Sequence, residues 1–241
     1  MKKLFILIFL LLLPTIAEAK DYPPFLDADS LPNGVNFLPA PPGPDNPLLY
    51  CDWNMYAWGK TIRSTPRGQQ AIEDAKIDKA TLAKKYGDVL GVALSESKTP
   101  HIYALIARTA DSVMLAVKRP KKHHQRPRPY SFFNEYSLLP EEEASHNPNA
   151  SYPSGHSAIG WGVALVLSEV APNAQDAILK LGYELGESRI IAGYHFLSDV
   201  QAARLLASAT VARLHADPEF VSAMQAAKTE YAHLSKRKSQ K

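Results

Sequence analysis

His195 and Asp199 stand four residues apart, close enough for a carboxylate to accept the N–H of one imidazole nitrogen. The other ring nitrogen is then left as an outward lone pair, the arrangement that a histidine nucleophile or base needs. Taken alone, the pair reads equally well as a surface ion pair, and as a metal site it lacks further ligands at helical spacing. A second group lies in "SYPSGHSAIGWG", Ser151 to Gly162, where loop gives way to an apolar run. Backbone N–H groups at a helix start are unpaired and sit at the positive end of the dipole, so they attract anions. Gly155 lets backbone approach closely, Ser154 can cap the helix or donate to a ligand, and His156 on the first turn can give a proton. A plain helix cap with a surface histidine is the competing reading.

A third group is "KRPKKHHQRPRPYSFF", with six cations from Lys118 to Arg128. Such a run often marks a solvated face. Pro127 and Pro129 change that, because neither continues a helix and each biases the residue before it toward extended backbone. Lys121 is thereby placed near a helix end and Arg128 is carried forward on a stiff segment. A rigidly presented arginine suits a bidentate grip on phosphate oxygens, with lysine beside it as a point charge. Downstream, Arg189 ends a helix, Gly193 offers a break, and Ser198 to Gln201 resembles a capping box that would start a helix at Ser198.

The elements that must position these groups are helical. Thr99 and Pro100 read as the N-cap and first position of a helix with Ile102, Leu105, Ile106, Ala110, Val113 and Val117 on one face. Ser157 to Val170 is apolar on every side, as in a core helix. Asn173 can cap a helix carrying Ala174, Ala177, Ile178, Leu181 and Leu185, and further helices are expected from about Ser198 to His215 and Pro218 to His233. Long strand-like alternation is absent. The fold class is all-α, a compact helical bundle.

The chain has 241 residues. Lys2 and Lys3, the apolar run Leu4 to Leu13 and Ala17-Glu18-Ala19 make residues 1–19 a cleavable signal peptide. The run, broken by Pro14, is short of the ~20 apolar residues that a span needs. A proline-rich, irregular arm is expected over residues 20–50 and a single helical domain over 51–241. Removing Lys2, Lys3 and Glu18 from 27 basic and 24 acidic side chains leaves 25 and 23, too even a balance to argue for a nucleic-acid polymer. Cys51 is the only cysteine, so no internal disulfide forms and a hydrophobic core must carry stability. His101, His123, His124, His146, His215 and His233 show no chelating pattern. Glu141, Glu142 and Glu143 read as a solvated loop that could border a pocket, and Tyr130, Phe132, Phe133 and Tyr136 as loop packing.

Together the motifs Lys121-x6-Arg128-Pro129, Pro153-Ser154-Gly155-His156 and Ser188-Arg189-x5-His195-x3-Asp199 resemble the signature of the phosphatidic acid phosphatase type 2 superfamily. Within it the chain is most similar to the bacterial class A non-specific acid phosphatases. Ala150, Ser157, Ala192 and Phe196 depart from commoner residues without removing a charged or proton-carrying group. The resemblance implies hydrolysis of small phosphomonoesters through a phosphohistidine. His195 would be the nucleophile, Asp199 its orienting carboxylate and His156 the general acid and base. Lys121, Arg128, Ser154, Gly155 and Arg189 would bind phosphate, with no metal and no cofactor, because three cationic side chains supply the charge neutralisation. It also implies export to the periplasm or beyond, no stable membrane insertion, phosphotransfer to alcohols as a side activity, and a homodimer or higher homo-oligomer. The rivals are a lipid phosphate phosphatase at a membrane surface, a vanadium haloperoxidase, and a periplasmic phosphate-binding module.

Overall fold

The computed structural model describes residues 22–239. The signal peptide expected over residues 1–19 lies outside them. The described chain is helical, and no strand occurs among the described residues. In chain order the helices are α1 (Leu48–Thr61), α2 (Pro66–Glu73), α3 (Lys79–Leu90), α4 (Pro100–His124), α5 (Pro129–Phe133), α6 (Pro140–Glu143), α7 (Gly155–Val170), α8 (Gln175–Ile191), α9 (Leu197–Leu214) and α10 (Pro218–Ser239).

α7 is the axis of the bundle. It packs against α4, α8, α9 and α10, and Val163, Ala164, Val166 and Leu167 are wholly buried. Burying each of the larger apolar side chains stabilises the fold by roughly 1.5–3 kcal/mol, so a helix apolar all round can only sit at the centre. Tyr86 of α3 reaches in and donates its hydroxyl to the Gly160 carbonyl at 2.6 Å. α4 shows the expected one-sided burial, with Ile102, Leu105, Ile106, Val113 and Val117 all facing inward.

α4 ends close to Lys121, as the sequence implies, while the starts of α8 and α9 differ from the sequence reading. α4 continues through Pro120, whose missing N–H frees one carbonyl without ending the helix, and stops at His124 where Gln125 turns left-handed with φ 44°. Asn173 lies in a 3₁₀ turn, Pro172–Ala174, and α8 starts after it at Gln175. α9 begins at Leu197 rather than Ser198, with Phe196 at the cap position. Phe196 has no acceptor to offer, and its own N–H donates to Asp199 Oδ2 at 2.8 Å.

Residues 22–47 run over the bundle, with Tyr22, Phe25, Leu31 and Leu38 buried. The Phe25 N–H donates to Ser112 Oγ at 2.9 Å and the Pro23 carbonyl accepts from Arg108 at 2.9 Å, which fastens the segment to α4. Further along, the Pro39 carbonyl accepts from the Tyr152 hydroxyl, beside the start of α7. α1 begins at Leu48, inside the stretch expected to be irregular up to residue 50. Cys51 is exposed and free. Among the described residues, no helix is long and apolar enough to cross a membrane.

Candidate active site

The last turns of α4 and α8 converge on the first turns of α5 and α7, and a cleft of about 300 Å³ opens between them. Lys121, Arg128, Gly155, His156, Arg189 and His195 all line it, with Glu142, His146, Met114 and Tyr194 around them. Residues from Ala75 to His195, 120 positions apart in sequence, thus share one small space, and three of them are the basic side chains of Lys121, Arg128 and Arg189. Such a concentration of positive charge has no structural use without an anion to face.

Arg128 caps α5 in extended geometry, with φ −73° and ψ 155°, because Pro129 follows it. Its guanidinium is held by the Asn147 carbonyl at 3.1 Å and the Tyr194 carbonyl at 3.3 Å. The same Nη1 lies 2.9 Å from His195 Nε2. A guanidinium can only donate, so Nε2 is the lone-pair nitrogen and the ring proton sits on Nδ1. On that far side the ring bonds to the backbone of Ser151. His195 is therefore a neutral tautomer presenting its lone pair to the cleft.

His195 sits in a turn that Gly193 makes at φ +75°, a backbone conformation that L side chains rarely adopt. The turn lets the Tyr194 and His195 N–H groups both donate to the Arg189 carbonyl, at 2.9 and 3.2 Å. Arg189 and His195 are thereby locked to each other. Arg189 is 3% exposed, yet its Nε and Nη1 have no partner; only Nη2 is bonded, to Glu142 Oε2 at 3.2 Å. Unpaired buried guanidinium donors are costly, and they point to an anionic ligand in this cleft.

His156 matches this state. Its Nε2 is buried and unpartnered, while the ring is fixed from behind by the Asp74 backbone. The Ser154 hydroxyl does not line the cleft. It caps α7, accepting from the Ser157 N–H at 3.2 Å and the Ser157 hydroxyl at 2.8 Å. The remaining first-turn N–H groups of α7 belong to Gly155 and His156, both at the cleft. A Cβ at Gly155 would stand 3.0 Å from Met114 Cε, so a side chain there would crowd the cleft wall.

Burial and like charge set the protonation states. Burial, then the charges of Arg128, Lys121 and Arg189, hold His195 well below the usual histidine range. Burial, then Arg189 and His195, do the same to His156. Burial and the neighbouring Arg128 bring Lys121 down to about 7, with Asp199 opposing. Lys121 donates to the Ala150 carbonyl. All three shifts have the same cause, positive charge in a dry place, and an arriving anion relieves all three.

Asp199 differs from the sequence expectation. Its Oδ2 lies 3.6 Å from His195 Nδ1, near enough for electrostatic attraction but beyond a hydrogen bond. Its oxygens are taken by Arg126 at 2.6 Å, by the Ser151 hydroxyl at 2.6 Å and by the Phe196 N–H. Arg126, Ser151 and Asp52 were not singled out from sequence. Arg126 was hidden among the six cations, and nothing local marks Asp52, which comes from a helix 147 positions before Asp199. Glu142, read as loop that could border a pocket, does so. His146, expected to be without a role, is a second wall residue, bonded through Nδ1 to the Glu142 carbonyl at 2.9 Å. Of the loop aromatics, Phe133 stacks on Tyr56 with centroids 4.6 Å apart, and none of the four lines the cleft.

The sequence profile of the PAP2 superfamily matches residues 99–221, which hold every one of the cleft's charged side chains. The chain belongs to the PAP2 superfamily. Within it, this PAP2 enzyme falls among the class A non-specific acid phosphatases. It is 44% identical over 205 residues to a non-specific acid phosphatase of Providencia stuartii, covering 85% of this chain and 83% of that one. It is 34% identical over 232 residues to a non-specific acid phosphatase of Salmonella typhimurium, covering 95% and 93%. An acid phosphatase of Zymomonas mobilis is 33% identical over 194 residues, 80% of this chain and 74% of that one.

Proposed function

We propose that this PAP2 enzyme hydrolyses phosphate monoesters of broad specificity through a phosphohistidine at His195, without a metal ion, after export to the periplasm. The observation that carries the reading is the 2.9 Å contact from Arg128 Nη1 to His195 Nε2. It sets the attacking lone pair beside a group that grips phosphate oxygens. Broad specificity and an acid working range are supported by the names of the relatives, and export by the leader-like residues 1–19.

In this mechanism Lys121, Arg128 and Arg189 hold the non-bridging oxygens, helped by the first-turn N–H groups of α7. Arg189 Nε and Nη1 gain the partners they lack. Aimed cations and N–H groups stabilise the equatorial oxygens during transfer, where most catalysis of phosphoryl transfer lies. Nε2 of His195 bonds to phosphorus as the phosphorus–oxygen ester bond breaks, and Nδ1 keeps its proton. His156 gives the leaving alkoxide a proton from Nε2, then takes one from the water that cleaves the phosphorus–nitrogen bond. Ser154 contributes by capping α7 and so fixing where Gly155 and His156 stand.

Burial and the neighbouring Arg189 and His195 disfavour a protonated His156, so its proton is best delivered with the substrate. A phosphomonoester has a second pKa of about 6, and its monoanion carries one proton into the site. The bound dianion cancels the charge that kept His156 neutral, and the proton moves to Nε2. Acid favours the monoanion, which accounts for an acid working range without a free imidazolium. Any alcohol that enters in place of water takes the phosphoryl group, giving phosphotransfer as a side activity.

One experiment tests the scheme. An alkyl phosphate and p-nitrophenyl phosphate are assayed with EDTA present for the wild-type, His195→Ala and His156→Ala proteins, and phosphoenzyme is trapped by acid quench. His195→Ala should lose at least about 10³-fold in kcat on both esters and trap no phosphoenzyme. His156→Ala should lose on the order of 10²-fold more on the alkyl ester, because p-nitrophenolate leaves without a proton. Equal losses on the two esters defeat the acid role, and inhibition by EDTA reversed by Zn²⁺ defeats the metal-free scheme.

A further inference from the structure

Behind His195, away from the cleft, lies a second set of charges that the mechanism above does not use. Asp52 of α1, Arg126 from the α4–α5 connection and Asp199 of α9 are 1%, 8% and 0% exposed. Arg126 spans the two carboxylates. Nη1 donates to Asp199 Oδ1 at 2.6 Å and Nη2 to Asp52 Oδ2 at 2.7 Å. Ser198 completes the set, accepting from Arg126 Nη1 at 2.7 Å and donating its hydroxyl to Asp52 Oδ2 at 2.6 Å. The guanidinium also lies over the Phe196 ring, 4.3 Å from its centroid. The ring proves to be a neighbour as well as a failed cap.

That failure explains why Asp52 is needed. With phenylalanine at the cap of α9, no side chain at that position can accept from the first turn. The Ser198 N–H goes instead to Asp52 Oδ1 at 2.8 Å, a cap supplied from another helix. One carboxylate from α1 therefore fixes the start of α9, while the other, Asp199, closes the turn that carries His195. A single arginine fixes the spacing between them. Two buried carboxylates this close repel each other unless a cation bridges them, and a planar guanidinium can serve both at once where an ammonium cannot.

We propose that Arg126 and Asp52 are positioning residues for His195, acting through Asp199. Arg126 holds the Asp199 carboxylate and neutralises part of its charge, so that the imidazole keeps its lone pair in place and stays neutral. This rests on the reading of His195 as nucleophile. The charged and titratable groups that face the imidazole are Lys121 from α4, Arg128 at the start of α5, Glu142 from α6 across the cleft, His156 from α7, Arg189 from α8 and Asp199 from α9. Asp199 favours the protonated ring, while Lys121, Arg128 and Arg189 oppose it. Taking the charge from Arg126 strengthens Asp199 in that balance and moves the imidazole toward protonation.

The test measures kcat and KM for p-nitrophenyl phosphate between pH 4 and 8 in Arg126→Gln, Arg126→Lys and Asp52→Asn, with folding followed by circular dichroism and thermal melting. Arg126→Gln should lose about 10- to 100-fold in kcat, by analogy with the cost of removing the outer partners that orient metal-bound histidines. Its KM should stay within about threefold, and the acid limb of kcat/KM should move to higher pH. Arg126→Lys keeps the charge and so should keep the wild-type acid limb, yet lose kcat because it bridges poorly. A loss confined to folded fraction or to KM would overturn the proposal, as would wild-type kcat and superimposable pH profiles. If neither Arg126 variant folds, Asp52→Asn decides, since a several-fold fall in kcat at constant KM supports the proposal and a change under twofold overturns it. His195→Ala in the same series separates the two readings. Substantial activity there removes the nucleophile assignment, whereas an inert His195→Ala beside wild-type-like Arg126 and Asp52 variants removes only the positioning role.

Discussion

Two hollows are lined by adjoining residues of the same two segments, Arg126 and Phe196 in one and Arg128 and His195 in the other, and they are built to opposite rules. The proposed catalytic cleft encloses about 300 Å³ and is lined by Lys121, Arg128 and Arg189, by the three histidines His146, His156 and His195, and by one carboxylate, Glu142. The second hollow, about 420 Å³, lies between the proline-rich segment and α1 and is lined by Pro42, Pro44, Tyr50, Trp53, Phe132 and Phe196. The larger hollow is the more apolar, and its one charged lining residue, Arg126, is bonded through Nη1 and Nη2 to Asp52, Asp199 and Ser198. In the smaller, the buried donors of Arg189 and Nε2 of His156 lack partners. Volume and apolar lining do not tell which hollow does chemistry. Unsatisfied ionisable groups do: the apolar hollow leaves only the neutral Trp53 indole N–H without a partner among its lining residues, whereas the cleft leaves guanidinium and imidazole nitrogens bare.

The strongest way to break this contrast is to remove the unsatisfied donors. Arg189→Ala deletes Nε and Nη1 and frees Glu142. Loss of one aimed donor to a transferring group costs on the order of 10²–10³ in rate. Here more than one contact disappears, so kcat/KM for p-nitrophenyl phosphate should fall by about 10³ or more. The melting temperature should hold or rise, since a buried and half-satisfied charge has been removed. Lost activity together with a large drop in melting temperature would mean that Arg189 supports the fold and that its bare donors are not a ligand's place.

The second way uses pH. The folded-state pKa values of His156 and His195 are depressed by burial and by the cations, while an unfolded histidine titrates near 6.5. Above about 6.5 neither state binds these protons and their contribution to stability is full. As pH falls below 6.5 the unfolded chain takes them up and the folded one resists, so stability falls toward the depressed folded values. Each histidine adds at most about 1.4 kcal/mol per pH unit to that slope. Lys121, lowered to about 7 from 10.5, acts likewise at higher pH, and stability from it is lost as pH falls from about 10.5 to 7. Differential scanning calorimetry of the empty enzyme should therefore show the melting temperature dropping from pH 7 to 5. Phosphate should reverse much of the drop, and His156→Ala should flatten it. A melting temperature constant from pH 7 to 5 without phosphate would show that neither histidine is held neutral.

What could be read from sequence follows the same division. The core helices were legible because α4 and α7 carry their burial as periodicity or as unbroken apolarity. Lys121, Arg128, His156, Arg189 and His195 were legible because proline, glycine and spacing mark how each is presented. The support behind the site was not. Asp52 reaches Ser198 and Arg126 only through the packing of α1 on α9, and no local pattern encodes that contact. The start of α9 was misplaced for the same reason, since Ser198 looked like a cap while the capping carboxylate came from another helix. Glu142 shows the intermediate case. Three glutamates in a row say "exposed", and only the fold turns the middle one toward Arg189.

The smallest expected effect lies on the side of the second hollow. Phe132 is 51% exposed at the rim of the apolar hollow, 6.3 Å from Trp53 and 6.1 Å from Phe196 between ring centroids. Phe132→Ala removes an edge contact with the ring that follows His195 but touches no group in the cleft. A half-exposed aromatic loses only part of its burial, so the cost in stability should be about 1 kcal/mol. kcat and KM for p-nitrophenyl phosphate should stay within about twofold of wild type. If kcat instead falls tenfold or more at unchanged KM, the two hollows are mechanically coupled through Phe196, and the contrast between a working cleft and an idle groove no longer holds.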